Sequence, residues 1–211
     1  GRRAGGRGRA AGGRAVGGCP VTPGGTGAGG AVAGRRELIS QIRGESAIHH
    51  GGVMSPFNAW LVARGLSLLP LRMTAHEAGA QALAEWLEAQ PLVNRVIYPG
   101  LPSHPQHALA QRQMTNNSGM ISFQVGNAAT GRKIAQQMID RLEIIHYAVS
   151  LGHHRSLIFW METQGLMDTS FRLSGAQLES YQSYGGDGVF RMSVGLENPE
   201  DLIRDLATAL S

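Results

Sequence analysis

Few side chains in this sequence are typed and spaced for chemistry. Arg191 stands in the run Val189-Phe190-Arg191-Met192, where strand alternation points it opposite to both neighbours. An unpaired buried guanidinium is very costly, so such an arginine either reaches solvent at an edge or meets an anion. Its planar fork suits a carboxylate bidentately, so carboxylate binding is the chemistry it would do. Ser150, in Ala148-Val149-Ser150-Leu151-Gly152, sits where a strand gives way to a glycine turn. A serine there ordinarily satisfies backbone groups. Lys133 is the sole lysine, and TGRKIAQQMIDRL around it has the pattern of a surface helix, so a solvated ammonium is expected. His104 and His107 lie three apart in a proline-rich loop with no third ligand in view, and His153 and His154 diverge as neighbours. Neither pair reads as a metal site.

The elements that must position these residues are organised around Ser55 to Gln90. Ser55-Pro56 is a helix start, since the hydroxyl accepts an orphan amide and proline suits the first helical position. Phe57, Trp60, Leu61 and Leu68 share one helical face, and Val62, Leu66 and Leu69 another, which predicts a helix buried on two sides. Pro70 breaks or kinks the pattern. A second amphipathic stretch runs through Met73, Ala80, Leu83, Ala84 and Leu87 to Pro91, so the whole reads as a link between domains. Residues 29–34 and 93–99 read as strands, with a short helix over about 35–44 between them. Residues 119–125 read as a strand, 128–143 as a helix, and IIHYAVSLG as a strand ending in a turn. SGAQLESYQSYG reads as a helix, GVFRMSVGL as a strand, and NPEDLIRDLATALS as a terminal helix capped by Asn198 with Pro199 next. Strands separated by helices, without a glycine-rich phosphate turn, predict an α+β layer: an antiparallel sheet covered by helices.

Composition bounds the rest. At 211 residues, 42% hydrophobic and 16% charged, the chain suits a globular domain with a real core. No apolar run is long enough to span a bilayer, and no membrane partner is expected. The single cysteine, Cys19, cannot form an internal disulfide, and cytoplasm is the expected location. Five arginines fall in the first 18 residues; without them 14 basic residues face 15 acidic ones, so the net positive charge belongs to that segment. Residues 1–27, rich in glycine and arginine, read as a disordered tail. Such a tail could hold single-stranded nucleic acid, but it carries no interleaved Phe or Tyr, and nucleic acid is not the expected partner.

Five blocks of the sequence carry a family resemblance: SPFNAWLVARGLSLLPLRM, VNRVIYPGLPSHPQHALAQRQM, GMISF, AVSLG and FRMSVGLENPEDLIRDL. In this order they resemble the C-terminal part of the Cys/Met-metabolism enzymes, over roughly residues 28 to 210. This group depends on pyridoxal 5'-phosphate (PLP) and includes cystathionine γ-lyase, methionine γ-lyase and the homoserine sulfhydrylases. The resemblance implies the C-terminal domain of a fold-type-I PLP enzyme, joined to a long interdomain helix and a remnant of the large domain. The expected divisions are a tail at 1–27, the large-domain remnant at 28–54, interdomain helices at 55–90 and the C-terminal α+β domain at 91–211. It also implies a sulfur amino-acid substrate, trans-sulfuration chemistry of the C–S lyase or sulfhydrylase kind, and a homo-oligomer, a homotetramer, in the full-length form. By the same resemblance Arg191 clamps the substrate α-carboxylate, Ser150 lies beside the substrate, and Leu151 lends backbone contacts. After AVSLG the chain reads HHRSLIFWMETQGL where the γ-lyases usually have Gly-Gly-x-Glu-Ser-Leu, which leaves the reaction subtype open. The family's Ser-x-Lys-Tyr signature would place its cofactor lysine near Cys19, and no lysine stands there. The chain therefore reads as the C-terminal part of such an enzyme, without catalytic or cofactor-binding residues of its own. The alternatives are a non-catalytic remnant or oligomerisation module, and an Arg/Gly-rich nucleic-acid binder.

Overall fold

A computed structural model of the chain describes the backbone of residues 14–16 and 31–33 and the whole of residues 34–211. The chain divides into two compact units, Gly1–Leu66 and Ser67–Ser211. Apart from residues 14–16, the expected tail and Cys19 lie outside the described residues.

In the first unit β1 (Arg14–Val16) pairs antiparallel with β2 (Ala31–Ala33), so a strand stands where the tail was expected to be unstructured. Helix α1 (Arg36–Arg43) has Glu37 in its first turn and Arg43 in its last, both favourable to the helix dipole. A π-helical segment, Gly44–His49, continues it. Helix α2 (Pro56–Ser67) starts as expected, with the Asn58 amide donating to Ser55 Oγ at 3.3 Å. Its expected two-sided burial is not observed. Phe57 is 66% and Trp60 55% exposed, their rings 6.0 Å apart, and Gly65 is the helix's one buried residue. Periodicity records which side chains favour burial; it does not supply the surface that would cover them.

In the second unit α3 (Leu69–Glu88) follows α2 after the single residue Leu68, with Pro70 in the new helix's first turn. Proline there begins a helix because its missing N–H would have no partner in any case. The inward row of α3 runs Arg72, His76, Gly79, Ala80, Leu83, Ala84 and Leu87. Arg72 and His76 thus extend the row N-terminally, where the apolar pattern pointed to Met73, which is only half-buried. Short β3 (Arg95–Ile97) and α4 (His107–Gln113) lead to β4 (Met120–Gln124) and α5 (Ala128–Arg141), capped by Asn127. Next come β5 (His146–Tyr147), β6 (Leu157–Glu162), α6 (Thr163–Met167), α7 (Ala176–Gly185), β7 (Gly188–Ser193) and α8 (Pro199–Leu210). Asn198 Oδ1 accepts the Glu200 amide at 3.1 Å, as the Asn-Pro start of α8 predicts.

The strands of the second unit form one sheet in the order β3-β4-β7-β6-β5. Three pairings are antiparallel, and β5 adds a parallel edge to β6 through the loop 148–156. The sheet is therefore mixed, and the fold is α+β. One face is the core: Ile121, Phe123, Ile158, Phe190 and Met192 meet Leu83, Leu87, Met138, Leu202 and Leu206 from α3, α5 and α8. Phe190 stacks on Phe123 at 5.2 Å and tilts against Trp160 at 4.9 Å. Among the described residues no helix is long and apolar enough to cross a membrane.

The turn between α5 and β5 is closed by Asp205, 7% exposed, whose carboxylate accepts the amides of Glu143, Ile144 and Ile145 at 2.8–3.0 Å. Removing it leaves three donors short of a charged acceptor. Asp205→Ala is expected to cost about 2–4 kcal/mol in urea unfolding, and Asp205→Asn, which keeps one acceptor, clearly less.

Candidate functional site

The face of the sheet opposite the core carries Arg191. Its register partners are Ser122 on β4 and Phe159 on β6. The guanidinium carbon lies 5.9 Å from the Phe159 ring centroid, and the side chain is half-buried. It has no ion-pair partner among the described residues. Since β7 is the central strand, with Phe190 and Met192 committed to the core, Arg191 is not at a sheet edge. A cation in that position, lying against an aromatic face, is available to an anion.

Two residues further along the same face, Ser193 Oγ accepts the Gly152 amide at 2.9 Å. That bond tethers the loop 148–152 over the face that carries Arg191. Ser150 and Leu151, both exposed, are the residues just before the tether. The structure thus brings the three candidate residues to one side of one sheet.

The end of β7 is held by residues that sequence reasoning did not single out. Ser156 is fully buried; its amide and hydroxyl donate to the Glu197 carboxylate at 2.7 and 2.9 Å, and its Oγ accepts the Gly195 amide at 2.8 Å. A side chain at Gly195 would meet the His154 carbonyl at 2.5 Å, which explains glycine there. From the other direction His76 Nδ1 donates to the carbonyls of Val194 at 2.7 Å and Gly195 at 3.1 Å. Glu197 stands in the FRMSVGLEN block, so an acid four residues past a strand was the available signal. Nothing in the sequence marked His76, because its partners are 118 and 119 residues away.

The other candidates lie elsewhere. Lys133 is exposed on α5, whose inward residues Ile134, Ala135 and Met138 pack on the core side, away from Arg191. His107 Nδ1 donates to the Pro99 carbonyl at 2.8 Å, within its own loop. His153 and His154 place their rings 4.2 Å apart, and no group of three His, Cys, Asp or Glu residues among the described residues could hold a metal.

Comparison with known proteins converges on one family for this layered α+β domain. The chain belongs to the Cys/Met metabolism PLP-dependent enzyme family, whose model matches residues 25–211. It is 42% identical over 187 residues to an O-succinylhomoserine sulfhydrylase of Pseudomonas aeruginosa, covering 89% of this chain and 44% of that protein. It is 41% identical over 183 residues to a cystathionine γ-synthase of Mycobacterium leprae, covering 87% and 44%. Among solved structures, a cystathionine γ-synthase from Xanthomonas oryzae superposes with a TM-score of 0.73 at 34% identity, over 90% of this chain and 47% of that one. A methionine γ-lyase from Micromonospora echinospora gives 0.72 at 33% identity, with the same coverage. The chain thus spans less than half the length of the relatives it matches.

Pyridoxal phosphate is the family's cofactor. Holding it covalently takes an amine beside the substrate, and the described residues do not fit that requirement. Their one lysine, Lys133, stands on the wrong side of the sheet with its ammonium in solvent. What they present is Arg191, half-buried on the open face of the sheet.

One histidine of the proline-rich loop also shapes this face. His104 Nδ1 accepts the Gln106 amide at 3.2 Å, so in the neutral ring Nε2 carries the hydrogen and donates to Tyr184 Oη at 3.2 Å. Burial, then the charges of Arg95 and His107, hold its pKa below the ordinary 6.5. The unfolded chain therefore takes up that proton first, and stability from neutral His104 is whole above pH 6.5 and declines as pH falls below it. His104→Gln is expected to lose less melting temperature than the parent between about pH 7.5 and 5.5.

Proposed function

We propose that this chain supplies the substrate-carboxylate side of a PLP-dependent enzyme acting on sulfur amino acids. Arg191 would take the α-carboxylate through its guanidinium fork. Ser150 would lie beside the bound amino acid, with the Leu151 backbone at its edge. The observation that carries this is the pairing of an accessible central-strand arginine with a loop tethered at Ser193 on the same face. The matched relatives act in β- and γ-chemistry of this kind by their names, as sulfhydrylase, synthase and lyase. The reaction proposed for the whole protein is accordingly elimination or replacement at the β or γ carbon of a sulfur amino acid. A homo-oligomeric full-length form and a cytoplasmic location belong to the same proposal; the exposed Phe57 and Trp60 of α2 favour a partner surface.

A second reading is a non-catalytic module that keeps the fold, favoured by the exposure of the sole lysine. Two measurements separate the possibilities. Calorimetric titration of the chain with L-methionine should show binding that Arg191→Ala weakens by about tenfold or more, the range of hydrogen bonds to a charged group. Arg191→Lys should restore only part, because the fork is lost; indifference to both substitutions overturns the role. Pyridoxal phosphate added to this chain should give no stoichiometric borohydride-trapped adduct, because Lys133 stands exposed on α5, away from the face of Arg191. A one-to-one adduct at Lys133 would contradict the assignment of this lysine to solvent.

A further inference from the structure

The open face of the sheet is overlaid by residues 168–183, the loop after α6 and most of α7. Their hydrogen bonds are all local. Among the described residues, none made by Asp168 to Ser183 spans more than six positions, the widest being the Leu173 amide to Met167 Sδ at 3.3 Å. Nor does an ion pair among the described residues join this segment to another element. Gly185 is the only buried residue of α7, so little apolar contact holds the helix down.

The attachments lie at the C-terminal end of α7. Gln124 Nε2 donates to the Tyr184 carbonyl at 2.9 Å, His104 Nε2 donates to Tyr184 Oη at 3.2 Å, and the Arg95 guanidinium carbon lies 4.8 Å from the Tyr184 ring centroid. Thr163 Oγ1 donates to the Gly186 carbonyl at 2.8 Å. Two glycines bracket the helix. Gly175 has φ +53° and Gly186 φ +56°, on the side of the map that only glycine enters freely. A Cβ at Gly175 would meet nothing within 4 Å, so backbone conformation and not space calls for glycine there.

A cleft of about 520 Å³ lies between α7 and the sheet, its floor crossing β3, β4, β7 and β6 through Ile97, Ser122, Val189 and Met161. Ser122 is the cross-strand partner of Arg191, and Val189 lies two residues along β7 on the same face. Val189 is only 5% exposed, although it points away from the core and is not part of it. Leu173 and Tyr181 line the cleft on the opposite side and cover it.

We infer that residues 168–183 form a lid over this part of the sheet, latched through Tyr184 and turning on Gly175 and Gly186. Lifting the lid breaks no hydrogen bond to another element until Tyr184 moves, and it uncovers Ser122 and Val189 beside Arg191. A segment with few buried apolar contacts and only local hydrogen bonds opens far more readily than the whole domain unfolds. The lid governs access to the face of Arg191, and its motion stands whether or not that arginine binds a carboxylate.

Thiol labelling of the native full chain tests this. Val189→Cys reports from beneath the lid, and Ala209→Cys, 0% exposed in the core, reports global unfolding. Reading the label peptide by peptide keeps Cys19 separate. Val189→Cys is expected to react at least about tenfold faster than Ala209→Cys. Urea below the unfolding transition should leave the first rate nearly flat and raise the second steeply, because the slope follows the surface exposed. Tyr184→Phe, which keeps the ring and removes the bond to His104, should raise the Val189→Cys rate about three- to tenfold. Gly175→Ala, which strains the closed backbone without a clash, should raise it as well. Should a cysteine substitution disturb folding, hydrogen exchange of the unsubstituted chain gives the same comparison, with the helical amides of α7 exchanging at least about tenfold faster than those of α8. Equal rates and equal urea slopes for the two cysteines, or equal exchange in the two helices, overturn the lid. Fast labelling of Val189→Cys that is indifferent to both Tyr184→Phe and Gly175→Ala overturns its latch and hinge.

Discussion

The two-residue period of β7 is the constraint on which the second unit depends. Phe190 and Met192 are fully buried, and each such side chain contributes roughly 2–3 kcal/mol by leaving water. Turning that face inward turns Val189, Arg191 and Ser193 outward together, because successive side chains on a strand alternate. A slip of one residue would put a guanidinium in the core, where nothing among Phe123, Ile158 and Trp160 could meet its charge. The apolar face thus fixes where the arginine must stand, and the neighbouring strands fix what stands beside it.

Long-range polar bonds hold the end of that strand. Ser156 and Glu197 join the start of β6 to the segment after β7, and His76 reaches the same segment from α3. Each satisfies groups that the sheet ladder leaves open beyond its last residue. With the strand end held, the Ser193 to Gly152 bond places the loop 148–152 on the face of Arg191. Asp205 holds the turn before β5 in the same way. The candidate site is a product of these attachments, since neither Ser150 nor Leu151 packs into the core.

The chain's relation to its family has the same uneven character. Its fold matches that of a solved relative of which it covers 47%. Its α2 helix exposes two aromatic residues, Phe57 and Trp60. The single lysine sits on a helix whose other face is core. A fold and a site are separable in this way because a core needs only apolar contact, whereas a cofactor site needs particular groups at particular distances.

The amino-acid sequence alone determined several features. The capped starts of α2 and α8, the existence of β4, α5, α7 and β7, and the side of β7 that Arg191 takes all follow from rules acting within a few residues. The family was legible because five blocks lay in order. Other features waited on the tertiary structure. LIFWME, now the internal strand β6, has no alternation to announce it, because both faces of this strand are partly buried. The parallel edge at β5, the inward turn of Arg72 and His76, and the Ser156–Glu197 join depend on residues tens of positions apart. Burial of α2 was a packing expectation the structure did not meet, since an apolar face states a need and only another surface can answer it. The cleft beside Arg191 belongs with these. Its floor comes from four strands and its wall from a helix, and no local pattern records that they meet.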